Sequence, residues 1–274
     1  MRRLVVIVAV VVVLGIVAAT LWERYGHKIT SLLPLPQGCT AKVDGYSAEL
    51  DPEQSENAAL IAGVAMERGL PAHAVTIALA TAMQESKLYN VTGGDRDSLG
   101  LFQQRPSQGW GSKAQIMDPV HAANAFYDEL LKVPDYLSLD VTEAAQEVQR
   151  SAYPGAYAKH ERDARALASA LTGNSPHAFA CHYDTPDAGS GKLALHEDVA
   201  RFFDNPVTVR GKSLTFRATD RTEGWALAQY VVAYARQYGV ETVLFDGHRW
   251  VAGGEESWTK DSHASKTLVT AVLA

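Results

Sequence analysis

The period of the hydrophobic pattern changes at Gly173, and that change divides the chain into two kinds of fold. From Asp51 to Gly173 apolar side chains recur three and four residues apart, the spacing of one helix face. Asp51-Pro52 marks a helix start with Leu60, Ile61 and Val64 as its stripe, and Gly69 followed by Pro71 closes that helix and opens the next. The second helix is expected to run to about Leu88. Asp118-Pro119 begins a third, with Ala123, Tyr127, Leu130 and Leu131 on one face. Two more are expected near Val141 to Ala152 and Tyr157 to Leu171. No strand-like alternation interrupts them, so residues 51–173 read as a mainly α-helical domain.

Beyond Gly173 the turn-rich segments Asn174-Ser175-Pro176 and Thr185-Pro186-Asp187-Ala188-Gly189-Ser190-Gly191 read as a linker over 174–195. Alternation then takes over. Val207, Val209, Leu214 and Phe216 read as strands, Trp225 to Tyr238 as a helix stopped by Gly239, and Val240 to Phe245 as another strand. Asp246-Gly247 is a hairpin turn, because both positions accept positive φ, with His248 to Val251 returning. Thr267 to Leu273 forms a last short strand. Residues 196–274 are therefore expected to form a second, small α+β domain.

At the other end, Met1-Arg2-Arg3 precedes a run from Leu4 to Trp22 without a charge. A stretch of ~20 apolar residues matches the hydrocarbon thickness of a bilayer. The expectation is an N-terminal transmembrane helix over 1–22, its arginines on the inner face, followed by an extracytoplasmic stalk over 23–50. The chain is then a single-pass protein of the cell membrane with its bulk extracytoplasmic. A secretory signal cleaved after Val17-Ala18-Ala19 is the alternative.

That compartment bears on the two cysteines, Cys39 and Cys181: an even count in an oxidising space reads as one disulfide closing a long loop. His177, Cys181, His182 and Asp184 crowd one segment but match no metal-ligand spacing, so no metal and no cofactor is expected. With 25 Lys and Arg against 31 Asp and Glu the net charge is −6, and no basic cluster follows the N-terminus. Nucleic acid is therefore not an expected partner.

The chemistry concentrates in Ala82-Met83-Gln84-Glu85-Ser86-Lys87-Leu88-Tyr89-Asn90, the Gly/Asp loop after it, and Ser98-Leu99-Gly100-Leu101-Phe102-Gln103-Gln104. Ala78, Ala82 and Glu85 share one face of the second helix, which puts a carboxylate on or beside a small, apolar surface near a helix C-terminus. Burial and the helix-end partial charge both raise its pKa, and a carboxyl kept protonated is what a general acid needs. Gly93, Gly94 and Gly100 let the loop fold back, while Asn90, Gln103 and Gln104 supply amides suited to sugar hydroxyls and N-acetyl groups. Trp110, between two glycines, suits stacking on a sugar face or filling a core edge.

At these residues the chain resembles the lysozyme-like bacterial lytic transglycosylases, goose-type lysozyme relatives included. The family carries a Glu-Ser pair ending a core helix, a Ser-x-Gly-Leu-x-Gln-like segment, and an Ala-Tyr-Asn-Ala-Gly motif. Here these are Glu85-Ser86, Ser98-Leu99-Gly100-Leu101-Phe102-Gln103 and Ala152-Tyr153-Pro154-Gly155-Ala156-Tyr157, the third departing from the pattern. The resemblance covers about 53–173. It implies a lysozyme-like fold that cleaves the β-1,4 bond between N-acetylmuramic acid and N-acetylglucosamine in peptidoglycan glycan strands. Glu85 is then the catalytic acid and base, with Ser86, Asn90, Gln103, Gln104 and Tyr153 on the substrate side.

A transglycosylase uses the muramyl C6 hydroxyl and leaves a 1,6-anhydro end, whereas a muramidase needs a second carboxylate to activate water. Asp95 and Asp97 are the candidates for that base and equally suit a turn. A different reading is a non-catalytic peptidoglycan-binding or scaffold protein with a degenerate groove, which Pro154 permits, or a piece docking protein partners in wall or secretion machinery. The C-terminal part weakly resembles a module appended to other bacterial wall-associated proteins, and His248, Trp250, Trp258 and His263 are too scattered for a zinc site.

Overall fold

Asp51 starts the helical part as its sequence requires. Its carboxylate accepts from the backbone N–H of Gln54 and the Gln54 side chain accepts from Asp51 N–H, a reciprocal cap on α1 (Pro52–Glu67). The computed structural model describes residues 37–151, 153, 155–183, 191–254 and 257–274. After the break at Pro71 comes α2 (Ala72–Ser86), buried along most of its length and so the central helix of this part. Then follow α3 (Pro119–Leu130), capped by the Asp118 side chain, α4 (Val141–Gln149) and α5 (Glu161–Leu171). Helix α2 packs on α5 and α4, and α1 on α3. Buried Ala74, Ala78, Ala82, Ala164 and Ala168 leave room for close helix approach.

A three-stranded antiparallel sheet lies against these helices, in the order β2-β1-β3, formed by β1 (Gly38–Val43), β2 (Tyr46–Leu50) and β3 (Phe179–His182). Strands β1 and β2 turn at Asp44-Gly45, both at positive φ as a tight hairpin demands. Cys39 stands directly opposite Cys181 in the β1–β3 register, and the two are joined by a disulfide.

The C-terminal part contains α6 (Gly191–Val199), β4 (Val207–Arg210), β5 (Ser213–Arg217), α7 (Arg221–Ala233), β6 (Val240–Phe245), β7 (His248–Val251), β8 (Thr259–Lys260) and β9 (Leu268–Leu273). The strands form one antiparallel sheet in the order β4-β5-β9-β6-β7-β8. Alternate residues Leu214, Phe216, Val243, Phe245, Trp250, Val269 and Ala271 are buried on the face that packs on α7. The turn at Asp246-Gly247 has the two positive φ values read from its sequence. Helix α7 also contacts α1, α5 and β3. Its fully buried Gln229 accepts from Phe179 N–H at 2.7 Å and donates to the Ala170 carbonyl at 2.6 Å, and residues 37–274 form one compact unit.

Two expectations are corrected here. The sequence predicts a transmembrane helix, a mainly α lysozyme-like domain and a second, small α+β domain. The described residues instead combine the helices with two antiparallel sheets, one of them six-stranded. Part of the expected stalk pairs as β1 and β2, and part of the expected linker as β3. The membrane location is also withdrawn: among the described residues no helix is long and apolar enough to cross a membrane. The longest, α1, has 16 residues, against the ~20 a bilayer requires. The apolar run over 1–22 that carried the anchor expectation lies outside the described residues.

Candidate functional site

Glu85 sits in the last turn of α2, just before the chain leaves the helix through two consecutive left-handed residues, Lys87 (φ 57) and Leu88 (φ 64). Neither is glycine, so this exit costs conformational energy and is held by its surroundings. Leu88 N–H bonds the Ala82 carbonyl at 3.1 Å, while Gln54 and Asn57 of α1 donate to the Lys87 and Leu88 carbonyls at 2.9 and 2.8 Å. The carbonyls of the two exit residues are thereby partnered by α1, while backbone N–H groups of the exit meet Ala82, Met83 and Ser86 of the helix end.

The half-buried Glu85 carboxylate meets two side chains. The hydroxyl of fully buried Tyr157 donates to Oε1 at 2.9 Å, and Gln149, the last residue of α4, stands near enough to favour the ionised carboxyl. The Gln149 amide donates as well to the Phe102 carbonyl at 2.8 Å, which fixes its orientation. Burial raises the Glu85 pKa and outweighs Tyr157 and Gln149, which favour the ionised form. A carboxyl so placed is protonated to a higher pH than a free glutamate and retains partners for its anion, the two states that an acid/base alternates between.

The other residues singled out in the sequence build the loop around this carboxyl. Ser86 Oγ lies 2.7 Å from the Leu101 carbonyl and 3.1 Å from that of Ala82, buried against the helix end. Asn90 Nδ2 donates to the Met117 carbonyl, and Gln104, fully buried, to the Ala122 carbonyl at 3.0 Å. Asn90 Oδ1 and Gln104 Oε1 are buried without a partner among the described residues. The Gln103 amide folds over Gly94, where an added Cβ would come within 1.7 Å of it, and donates to the Gly100 carbonyl at 3.3 Å. Gly100 itself has φ 74, and a Cβ there would press on the Ile116 carbonyl at 2.7 Å. The structure thus assigns Ser86, Asn90 and Gln104 internal roles and leaves Gln103 half-exposed at the loop surface.

Asp95 and Asp97 are occupied too. Asp95 is bridged by Arg105 at 2.8 Å, and Asp97 accepts both the backbone N–H and the hydroxyl of Ser107, which hold it ionised below the usual range. Tyr153 is 77% exposed, and it is Tyr157, four residues on, that reaches Glu85. The segment Ala152-Tyr153-Pro154-Gly155-Ala156-Tyr157 contains Ala-Tyr twice, and the second copy supplies the contact. Gln149 carries no such signal in the sequence.

Beside Gln149 opens a cavity of about 700 Å³, lined among others by Trp110, His121, Lys132 and Arg150. Trp110 also packs against the core, so it serves as a core edge and as cavity wall. No group of three or more His, Cys, Asp or Glu side chains gathers as metal ligands among the described residues. Cys181 is taken by the disulfide, His182 Nδ1 lies 3.0 Å from the Gly254 carbonyl, and His177 stacks on His248. Asp184 lies outside the described residues. Comparison of the chain with protein-family models and with curated proteins returned no match.

Proposed function

We propose that the protein cleaves the β-1,4 bond between N-acetylmuramic acid and N-acetylglucosamine in peptidoglycan glycan strands, as a lytic transglycosylase with Glu85 as its single acid and base. The observation that carries this reading is the Glu85 carboxyl itself, desolvated at a helix end yet hydrogen-bonded by Tyr157, with Gln149 beside it. Protonated Glu85 gives its proton to the glycosidic oxygen as the bond breaks. The resulting carboxylate then takes the proton of the muramyl C6 hydroxyl as that oxygen closes on C1. Tyr157 and Gln149 stabilise the carboxylate between the two transfers.

The occupation of both loop aspartates favours this route over hydrolysis. A muramidase of the inverting kind needs a free base ~6.5–9.5 Å from the acid. Asp95 is paired with Arg105 and Asp97 with Ser107, so each would have to give up its partner to activate water.

The test incubates the full chain, disulfide formed, with purified peptidoglycan and reads the released fragments by mass spectrometry beside Glu85→Gln. Anhydromuramyl ends that vanish in the variant are the expected result. Reducing ends would move the assignment to a muramidase. No release by a folded protein that binds the strands would replace the enzyme by a binding or scaffold protein.

A further inference from the structure

The cavity beside Gln149 has one charge on its wall that no described residue answers. Asp128 and Glu129 line it, but Arg68 lies 2.7 Å from Asp128 and Lys132 lies 2.5 Å from Glu129. Arg150 lines it as well, and its guanidinium makes no hydrogen bond or ion pair among the described residues. With both carboxylates balanced, the charge left for a ligand is positive, and His121 on the same wall adds no anion.

The position of Arg150 argues that its side chain has a use. It follows Gln149 directly and caps α4 in the left-handed conformation, φ 49 and ψ 42. Glycine or asparagine fills such a site at least cost, and a bulky residue costs about 1–2 kcal/mol more. An arginine at a helix end is often explained by bonds to the last carbonyls. Arg150 makes none from its side chain, and the carbonyl of Gln146 is met by its backbone N–H. A planar, solvent-exposed fork of donors, without a partner among the described residues and next in sequence to Gln149, matches a carboxylate.

We infer that Arg150 binds a carboxylate of the muramyl unit and thereby selects muramyl-containing strands over polymers of N-acetylglucosamine alone, which carry none. This rests on the glycan-cleaving reading of the Glu85 site. The carboxylate belongs either to the lactyl group, free where the peptide has been removed, or to the stem peptide where it is present.

The test separates binding from turnover. The full chain carrying Glu85→Gln is titrated calorimetrically with three soluble probes: an alternating N-acetylglucosamine–N-acetylmuramic acid oligomer without peptides, the same oligomer with stem peptides, and an N-acetylglucosamine oligomer of equal length. Adding Arg150→Gln should weaken at least one muramyl probe ~10-fold relative to the N-acetylglucosamine oligomer, the loss of a charged hydrogen bond. Arg150→Lys should recover part of that ratio. The muramyl probe that responds identifies the lactyl or the peptide carboxylate.

Equal loss on all three probes, no change in the ratio, or no binding of either muramyl probe by the parent overturns the inference. Circular dichroism of each variant identifies a loss due to unfolding, and in that case Arg150→Lys alone decides. If the wild type releases no fragments while the ratio falls as stated, the catalytic reading fails and the carboxylate site stands. If Glu85-dependent cleavage is found and the ratio does not move, the site fails and the catalytic reading stands.

Discussion

Tyr157→Phe removes a single hydroxyl from the Glu85 site and leaves the ring volume intact. The hydroxyl lies 2.9 Å from Glu85 Oε1 on a fully buried ring, so no water takes its place without a change in packing. A hydrogen bond to a charged group contributes about 1.5–3 kcal/mol and one between neutral groups about 0.5–1.5 kcal/mol. Where Glu85 is ionised the variant should therefore lose about 1.5–3 kcal/mol of unfolding free energy, and where it is protonated about 1 kcal/mol. The bond favours the anion, so its removal raises an already raised pKa further. The stability gap between wild type and variant is then widest at high pH and narrows as pH falls through the Glu85 titration. The alkaline limb of kcat/KM moves to higher pH for the same reason, because the acid stays protonated longer. Urea denaturation at a series of pH values and a pH–rate profile on peptidoglycan measure both effects. A gap that is constant with pH, or an alkaline limb that moves down, would refute the view that Tyr157 serves the carboxylate.

Glu85→Gln should cut turnover by ~10²–10⁴-fold, the usual contribution of a general acid, while its melting temperature does not fall at alkaline pH, since the raised pKa means that ionising the carboxyl opposes folding. Glu56 of α1 is lifted from its ordinary 4.5 to about 7 by burial, with Glu53, Asp198 and Asp51 adding to the lift and Arg236 opposing it. At ~1.4 kcal/mol per tenfold change in proton affinity the cost of its charge is at most ~3 kcal/mol, and solvent screening of a partly exposed side chain brings it to about 1–2 kcal/mol. Glu56→Gln should therefore stabilise by about that amount above pH 7 and by nothing below pH 4.5, a difference that thermal melts across the range will show. The Cys39–Cys181 disulfide spans 142 residues, which by loop-closure entropy corresponds to about 5 kcal/mol. Denaturant titration with and without a thiol reductant should find most of it, and an unchanged midpoint after verified reduction would contradict the estimate.

Which parts of this architecture were legible follows from the range over which each is determined. The helix starts at Asp51-Pro52 and Asp118-Pro119, the hairpin at Asp246-Gly247 and the strands Val240–Phe245 and His248–Val251 depend on neighbouring residues, and all are present where their sequences place them. Glu85 was found because a charge on an alanine-rich face breaks a local pattern. The sheet of β1, β2 and β3 is different. Its strands are four to six residues long, and β3 meets β1 through residues as far apart in sequence as Cys39 and Cys181, a separation of 142. The expected disulfide already brought Cys39 to Cys181, but the strand pairing on either side of it has no periodic signal of its own. The site shows the same limit. Tyr153 and Tyr157 are indistinguishable by spacing, and only the course of the chain after Arg150 decides which is buried against Glu85. Gln149 and Arg150 close an amphipathic helix as ordinary polar residues, and their roles come from where α4 ends.

The placement of Glu85 also shows why the strands outside the helical segment belong to the site's support. Its helix ends in a backbone conformation that two non-glycine residues adopt unwillingly. Gln54 accepts from Asp51 N–H and donates to the Lys87 carbonyl, and Tyr89 donates to the Asp51 carboxylate. Asp51 thus binds the start of α1 to the exit of α2, two residues from Glu85. It is also the residue that immediately follows β2, which pairs with β1, which the disulfide joins to β3. The start of α1 is therefore held by backbone pairing on one side and by helix capping on the other. A free chain before Asp51 would leave the cap to hold the α2 exit against its own strain. The paired strands remove that freedom, and Glu85 is presented from a fixed helix end.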